Sequence, residues 1–261
     1  MKDLLKSWAA LVLLALLASC SVKEDRTRCA SILHLDLRGH EDYEPGRVVV
    51  SAWDTRDVLA EDIRADVFGH VRSYPVPRGK LNLSAYSPTR NIRQVGRSLL
   101  LDSGKQMDSL FAYGAVLDTD CEELTVTAPL RKQFATLTVT LDGDVIPGSR
   151  LEVHGASIGT GMIDMTPIEG EFLCTVGVDE SGTYRVRLPR QDATVSLRGE
   201  ILLEGGDILD AVEIGDILER SGFDWKAEDL ADATIKVDRV RRKVNVIIVE
   251  WKTGISTEVI I

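Results

Sequence analysis

Polar and apolar residues alternate with a period of two along most of this chain, and that rhythm predicts strands. Residues 32–37 set it: Ile32, His34 and Asp36 take one face, Leu33, Leu35 and Leu37 the other. Residues 47–53 (RVVVSAW) are β-branched, residues 71–76 run into the turn signal Pro77-Arg78-Gly79, and residues 80–86 (KLNLSAY) alternate again. Residues 98–101, 110–117 and 124–128 continue the series, the last of them after the acidic turn 118–123. Residues 58–65 suit a short helix or a strand equally.

A second set opens at Phe134. Phe134, Thr136, Thr138 and Thr140 oppose Ala135, Leu137, Val139 and Leu141, and strands are expected at 151–154, 171–178, 183–188, 193–197, 201–203, 234–238, 243–252 and 255–261. Helical spacing is confined to residues 205–233, where Ile214, Ile217, Leu218 and Phe223 recur before and after Gly222. Short strands at this spacing predict an all-β protein of two tandem antiparallel β-sandwich domains, with a short helical insertion in the second. The boundary falls in residues 129–133 (PLRKQ), giving an N-terminal sandwich at 32–131 and a C-terminal one at 132–261.

The first residues read differently. Lys2 and Lys6 precede the apolar run 8–17, which is too short to span a bilayer, and Leu17-Ala18-Ser19-Cys20 follows. That layout is a secretory signal at 1–19, and Leu-Ala-Ser-Cys resembles the lipobox of bacterial lipoproteins. The resemblance implies cleavage before Cys20 and acylation of its thiol, the nucleophilic side chain able to carry a lipid such as palmitate. Residues 20–31 then form a charged tether. Within it Lys23-Glu24-Asp25 is similar to the acidic cluster that marks some surface lipoproteins for outward export, and equally reads as a solvated linker.

The formal charge of −10 disfavours nucleic acid and a polybasic membrane contact. Attachment to the outer membrane is therefore expected through acyl chains, each buried CH₂ contributing about 0.8 kcal/mol. With Cys20 lipidated, Cys29, Cys121 and Cys174 remain, and no spacing matches a zinc pattern. Sequence leaves open which two would pair.

No catalytic constellation emerges, and no cofactor or metal is expected. His34, His40, His70 and His154 are scattered. Residues 155–159 match GxSxG, but a nucleophile elbow needs a strand entering a helix, and no helical pattern follows. Asp118, Asp120, Glu122 and Glu123 lack the glycine turn and terminal glutamate of a calcium loop. Trp251 is expected in the core.

Several stretches in order resemble the fimbrillin-A-associated anchor subunits of fimbrillin-type (type V) pili. They are Glu24-Asp25-Arg26 before Cys29, Pro77-Arg78-Gly79, Ala85-Tyr86, Leu130-Arg131-Lys132-Gln133-Phe134-Ala135, Gly222-Phe223-Asp224-Trp225 and Val249-Glu250-Trp251. The family often has Cys-Pro-Cys near the end of the tether. Cys29-Ala30 stands here instead, which takes a local disulfide out of the expectation. The resemblance implies transthyretin-like sandwiches and a lipid-anchored, surface-exposed outer-membrane protein. It also implies a fimbrial shaft subunit as partner, attachment of that shaft to the cell, and a limit on its length.

Strand addition is the expected means of contact, since an extended segment joining an open sheet gains main-chain hydrogen bonds and side-chain pockets. The candidate segment is the last one, with Ile255, Thr257, Val259 and Ile261 on one face; it also reads as the final strand of the second sandwich, paired at home. The resemblance implies that shaft subunits lose an N-terminal strand by arginine-specific proteolysis. An anchor would keep its own, leaving Arg26 and Arg28 uncut. The competing expectation is a surface lipoprotein binding glycan or peptide, which would show a concave patch with two or more exposed Trp or Tyr residues.

Overall fold

The computed structural model describes residues 29–37, 46–64, 71–142, 146–192, 197–238 and 243–260. The first half supplies β1 (Ser31–Asp36), β2 (Arg47–Trp53), β3 (Asp57–Arg64), β4 (Val71–Val76), β5 (Lys80–Tyr86), β6 (Ile92–Val95), β7 (Ser98–Leu101), β8 (Phe111–Asp118) and β9 (Glu123–Thr127). The two-residue β10 (Arg131–Lys132) leads into β11 (Phe134–Leu141), β12 (Arg150–Gly161), β13 (Pro167–Gly177), β14 (Thr183–Pro189), β15 (Arg198–Leu202) and β16 (Ile208–Val212). After the helix α1 (Ile214–Arg220) come β17 (Asp232–Asp238), β18 (Lys243–Val249) and β19 (Ser256–Ile260). The all-β expectation holds.

In the first half a three-stranded sheet, β4-β1-β9, packs with a five-stranded one, β10-β8-β5-β2-β3. The alternation in β1 becomes burial: Leu33 and Leu35 are fully enclosed with Val48, Val50, Leu81 and Leu83, while Ile32, His34 and Asp36 stay half-exposed. Each such aliphatic side chain contributes roughly 1.5–3 kcal/mol. The second half pairs β14-β11-β17-β18-β19 with a sheet ordered β16-β15-β12-β7-β6, β13 lying along the other edge of β12.

The antiparallel expectation needs one refinement. β1 runs parallel to β9 and β11 runs parallel to β17, each of these first strands being antiparallel to its other neighbour. The two halves thus repeat one plan without repeating sequence.

Several boundaries also differ. Residues 57–64 are a strand, and β12 is far longer than the four residues expected because its glycines interrupt the hydrophobic pattern without ending the strand. Leu197 is not in a strand, residues 193–196 lie outside the described residues, and the strand begins at Arg198. The helical region contains β16, and α1 is only seven residues long. Phe223 donates its N–H back to Leu218 O at 3.0 Å, closing the helix before it, so Phe223 lies outside α1.

The halves are stitched together by backbone. β7 pairs with the far end of β12, so the β6–β7 hairpin of the first half extends a sheet of the second. This works because Gly159 has no side chain: a Cβ there would stand 2.2 Å from Leu99 O. Gly114 in β8 likewise lies under residues 162–163, a Cβ meeting Ile163 O at 2.2 Å. β10 pairs with β8, so the expected boundary segment is itself hydrogen-bonded into the first half.

Candidate subunit interface

The first strand is held on both sides. Six residues of β1 pair with β4 and five with β9, and Ile32 N–H reaches Glu122 O at 2.9 Å. Where the chain enters, Arg78 Nε donates to Cys29 O at 3.1 Å and lies 3.7 Å from Asp120. Thr119 Oγ1 ties down the same turn through Pro77 O and Gly79 O. The Pro-Arg-Gly motif is therefore the clasp on the start of β1. Arg26 and Arg28 precede that strand and lie outside the described residues. A cut at either would leave β1 in its sheet and open no groove.

The other end of the chain is nearly bare. β19 pairs antiparallel with β18 from Ser256↔Val249 to Ile260↔Asn245, and no described strand covers its outer edge. Of the candidate residues, Val259 is half-buried opposite Val246, Thr257 is exposed opposite Ile248, and Ile255 is 59% exposed. Ile260 on the reverse face is 68% exposed. Ile261 and Cys20 lie outside the described residues. A strand held chiefly by its ladder, with an open edge and exposed isoleucines, is a template for pairing with another chain.

Behind this hairpin, three motifs that are distant in sequence converge. Lys132, fully buried, donates to Asp232 Oδ1 at 2.6 Å and Leu230 O at 3.1 Å, its ammonium 4.7 Å from the Phe134 ring and 4.8 Å from that of Trp251. Burial pushes the Lys132 pKa down, against the upward pull of Asp232. Asp229 accepts from Lys132 N–H at 2.8 Å and pairs with Arg131 and Lys252. Arg190, also buried and with its pKa lowered by burial, donates to Trp225 O, Ala227 O, Glu228 O and Gln133 Oε1. The guanidinium thus saturates the carbonyls of a loop that has no ladder of its own. A cleft of about 660 Å³ opens beside it, lined by residues of both halves.

The remaining candidate chemistry is structural. Ser157 sits mid-strand in β12, buried, donating to Gly159 O at 3.2 Å, so the GxSxG match is an irregular strand and not a nucleophile elbow. Asp118 pairs with Lys80 at 2.9 Å and also accepts from Asp120 N–H. His34 bonds Ser73 Oγ at 2.8 Å and faces Glu123, while His40 and His70 lie outside the described residues. Trp53 and Trp225 are buried and Trp251 is half-buried against Phe111, so no described tryptophan offers an open stacking platform. No helix among the described residues is long and apolar enough to cross a membrane.

No protein-family profile matches the chain, and no curated protein does. Solved structures match along nearly their whole length. The fimbrial anchor protein Mfa2 from Porphyromonas gingivalis superimposes with a TM-score of 0.57 at 11% identity, over 87% of this chain and 99% of that one. A candidate adhesin from Bacteroides ovatus gives 0.59 at 10%, over 92% and 97%. A candidate polysaccharide-binding protein from Bacteroides thetaiotaomicron gives 0.62 at 10%, over 88% and 98%. The chain has the fold of a fimbrial anchor protein, as the sequence resemblance implied.

Proposed function

We propose that this chain is a non-enzymatic, lipid-anchored protein of the outer cell surface that fastens a fimbrial shaft subunit to the membrane. Cys20 carries the lipid, residues 20–30 form the tether up to Ser31, the first residue of β1, and two bodies, 31–131 and 132–261, follow. The observation that carries the reading is the contrast between the chain's ends. β1 is clasped between β4 and β9, whereas β19 has an open edge. Strand addition at 255–261 supplies the contact, through main-chain hydrogen bonds that need no energy source outside the cell. A terminal subunit with its first strand in place has no groove left for a further strand, which stops growth at the base and limits shaft length.

Two variants test this. Deleting residues 256–261 removes no fully buried side chain among those described, so the protein should fold, stay on the membrane and lose co-purification with fimbrillin. Cys20→Ser should release an otherwise intact protein from the membrane and pili from the cell. If the shaft still co-purifies with the truncated chain, strand addition at β19 is wrong. If Cys20→Ser protein remains membrane-bound with pili rooted, the lipid anchor is wrong.

A further inference from the structure

On the solvent face of the second half, three side chains meet that the sequence keeps apart. In the pairing of β12 with β15, Leu151 opposes Ile201 and Val153 opposes Gly199 on the core side. Glu152 therefore stands directly across from Glu200 on the outer side, with His154 two residues along. Like charges directly opposite on a sheet repel, yet these carboxylates are held together. A ligand oxygen from each and a ring nitrogen of His154 all lie within 4.8 Å of one another. His154 Nε2 is 3.0 Å from Glu152 Oε1, and Thr175 Oγ1 on β13 donates to Glu152 Oε2 at 3.4 Å, steadying that carboxylate from behind.

We propose that Glu152, His154 and Glu200 bind a divalent first-row transition ion, zinc being the best fit. One imidazole nitrogen and two carboxylate oxygens are a zinc donor set, and a three-ligand site on an exposed face leaves a position for water or a donor from another molecule. Calcium would need several more oxygens than this face supplies. The ion converts a repulsive pair into a cross-strand clip, fixing the five-residue β15 to β12 beside the stretch where β7 takes over the same edge. Arg198 is the competitor: its Nη2 lies 3.0 Å from Glu200 Oε1, with Glu213 as alternative partner at 3.7 Å from Nε. The site does not depend on the anchor reading.

The test is titration of the untagged full chain in detergent with zinc chloride, with Cys29 and Cys121, and Cys20 where it carries no lipid, alkylated beforehand so that they cannot contribute; Cys174 is buried. One equivalent should bind, raising the thermal midpoint. His154→Ala and Glu200→Gln should each weaken binding by about tenfold or more, comparable to disturbing a metal's ligand shell. Both side chains are half-buried on the face away from the core and neither fills it, so circular dichroism without metal should match the parent. Arg198→Ala, which keeps all three ligands and frees Glu200, should tighten binding. Absence of a stoichiometric equivalent overturns the proposal, as does binding indifferent to His154→Ala and Glu200→Gln. Unchanged or weaker affinity in Arg198→Ala overturns it too.

Discussion

Replacing Asp232 with alanine should damage this fold more than replacing Lys132 with methionine, although both remove the same ion pair. Lys132 is fully enclosed; Asp232 and Leu230 O are the hydrogen-bond partners of its ammonium, the faces of Phe134 and Trp251 lie alongside, and Asp229 adds a weaker attraction that Arg187 opposes. Asp232→Ala strands that charge, and leaving a buried charge without its counter-ion costs roughly 3–5 kcal/mol. Asp232, by contrast, is 35% exposed and also accepts from Thr136 N–H at 2.6 Å. After Lys132→Met the carboxylate keeps that donor and its water, while the methionine fills the aromatic slot. The loss is then about 1–3 kcal/mol, the cost of one unsatisfied acceptor at Leu230 O and weaker contacts.

Urea unfolding followed by tryptophan fluorescence measures both, and pH supplies a second, independent sign. Burial already lowers the Lys132 pKa from its ordinary 10.5, and removing Asp232 lowers it further. Between that depressed folded value and 10.5 the unfolded chain holds more protons than the folded one, so raising pH favours folding. The Asp232→Ala deficit should therefore shrink as pH rises from neutral toward about 10, since a neutral amine is cheap to bury. The Lys132→Met deficit should show no such recovery. If Lys132→Met is equally or more destabilising, or if the Asp232→Ala deficit is flat with pH, the reasoning about a stranded ammonium is wrong.

Other consequences are quicker to check. Gly159→Ala places a methyl 2.2 Å from Leu99 O and should cost about 1–3 kcal/mol as an overpacked site, with faster amide exchange in the β6–β7 hairpin; wild-type exchange there would refute the stitching. Cys29 and Cys121 flank one end of the β1–β9 pair, Arg78 reaching from Cys29 O to the carboxylate of Asp120 beside Cys121, whereas Cys174 is buried in β13 with its thiol pKa raised by burial. Under oxidation the disulfide should link Cys29 to Cys121, and peptide mapping that finds Cys174 in a bridge would contradict this. The carboxyls of Asp54, Asp62, Asp118, Asp164 and Asp179 are held below the usual range by hydrogen bonds from neighbouring N–H, hydroxyl and cationic groups. Their stabilisation is complete above the unfolded value near 3.9 and disappears as pH falls through the lower folded values. Fluorescence-monitored stability should drop below about pH 4, and a flat profile from pH 5 to 2 would count against it.

Which parts of this were legible in the sequence follows from how far each signal reaches. Alternation is local, so β1, β5, β11 and β14 could be read directly from residues whose faces go to core and water. β16 was hidden because residues 208–212 (ILDAV) lack clean alternation and adjoin the helix-like Ile214, Ile217 and Leu218. Strand length failed at β12 for a different reason: its glycines look like turn residues until Leu99 is seen against Gly159. The anchor-like motifs could be recognised but not explained from sequence. What LRKQFA, GFDW and VEW share is one buried place, where Lys132, Trp251, Trp225 and Arg190 fix the junction and the loop beneath β18. The Glu152–His154–Glu200 trio shows the limit most plainly. Its first two members are visible as neighbours, but the third arrives only through the register of β12 on β15, and a one-residue slip would send Glu200 to the core face. Register is a property of the folded pair, and sequence does not state it.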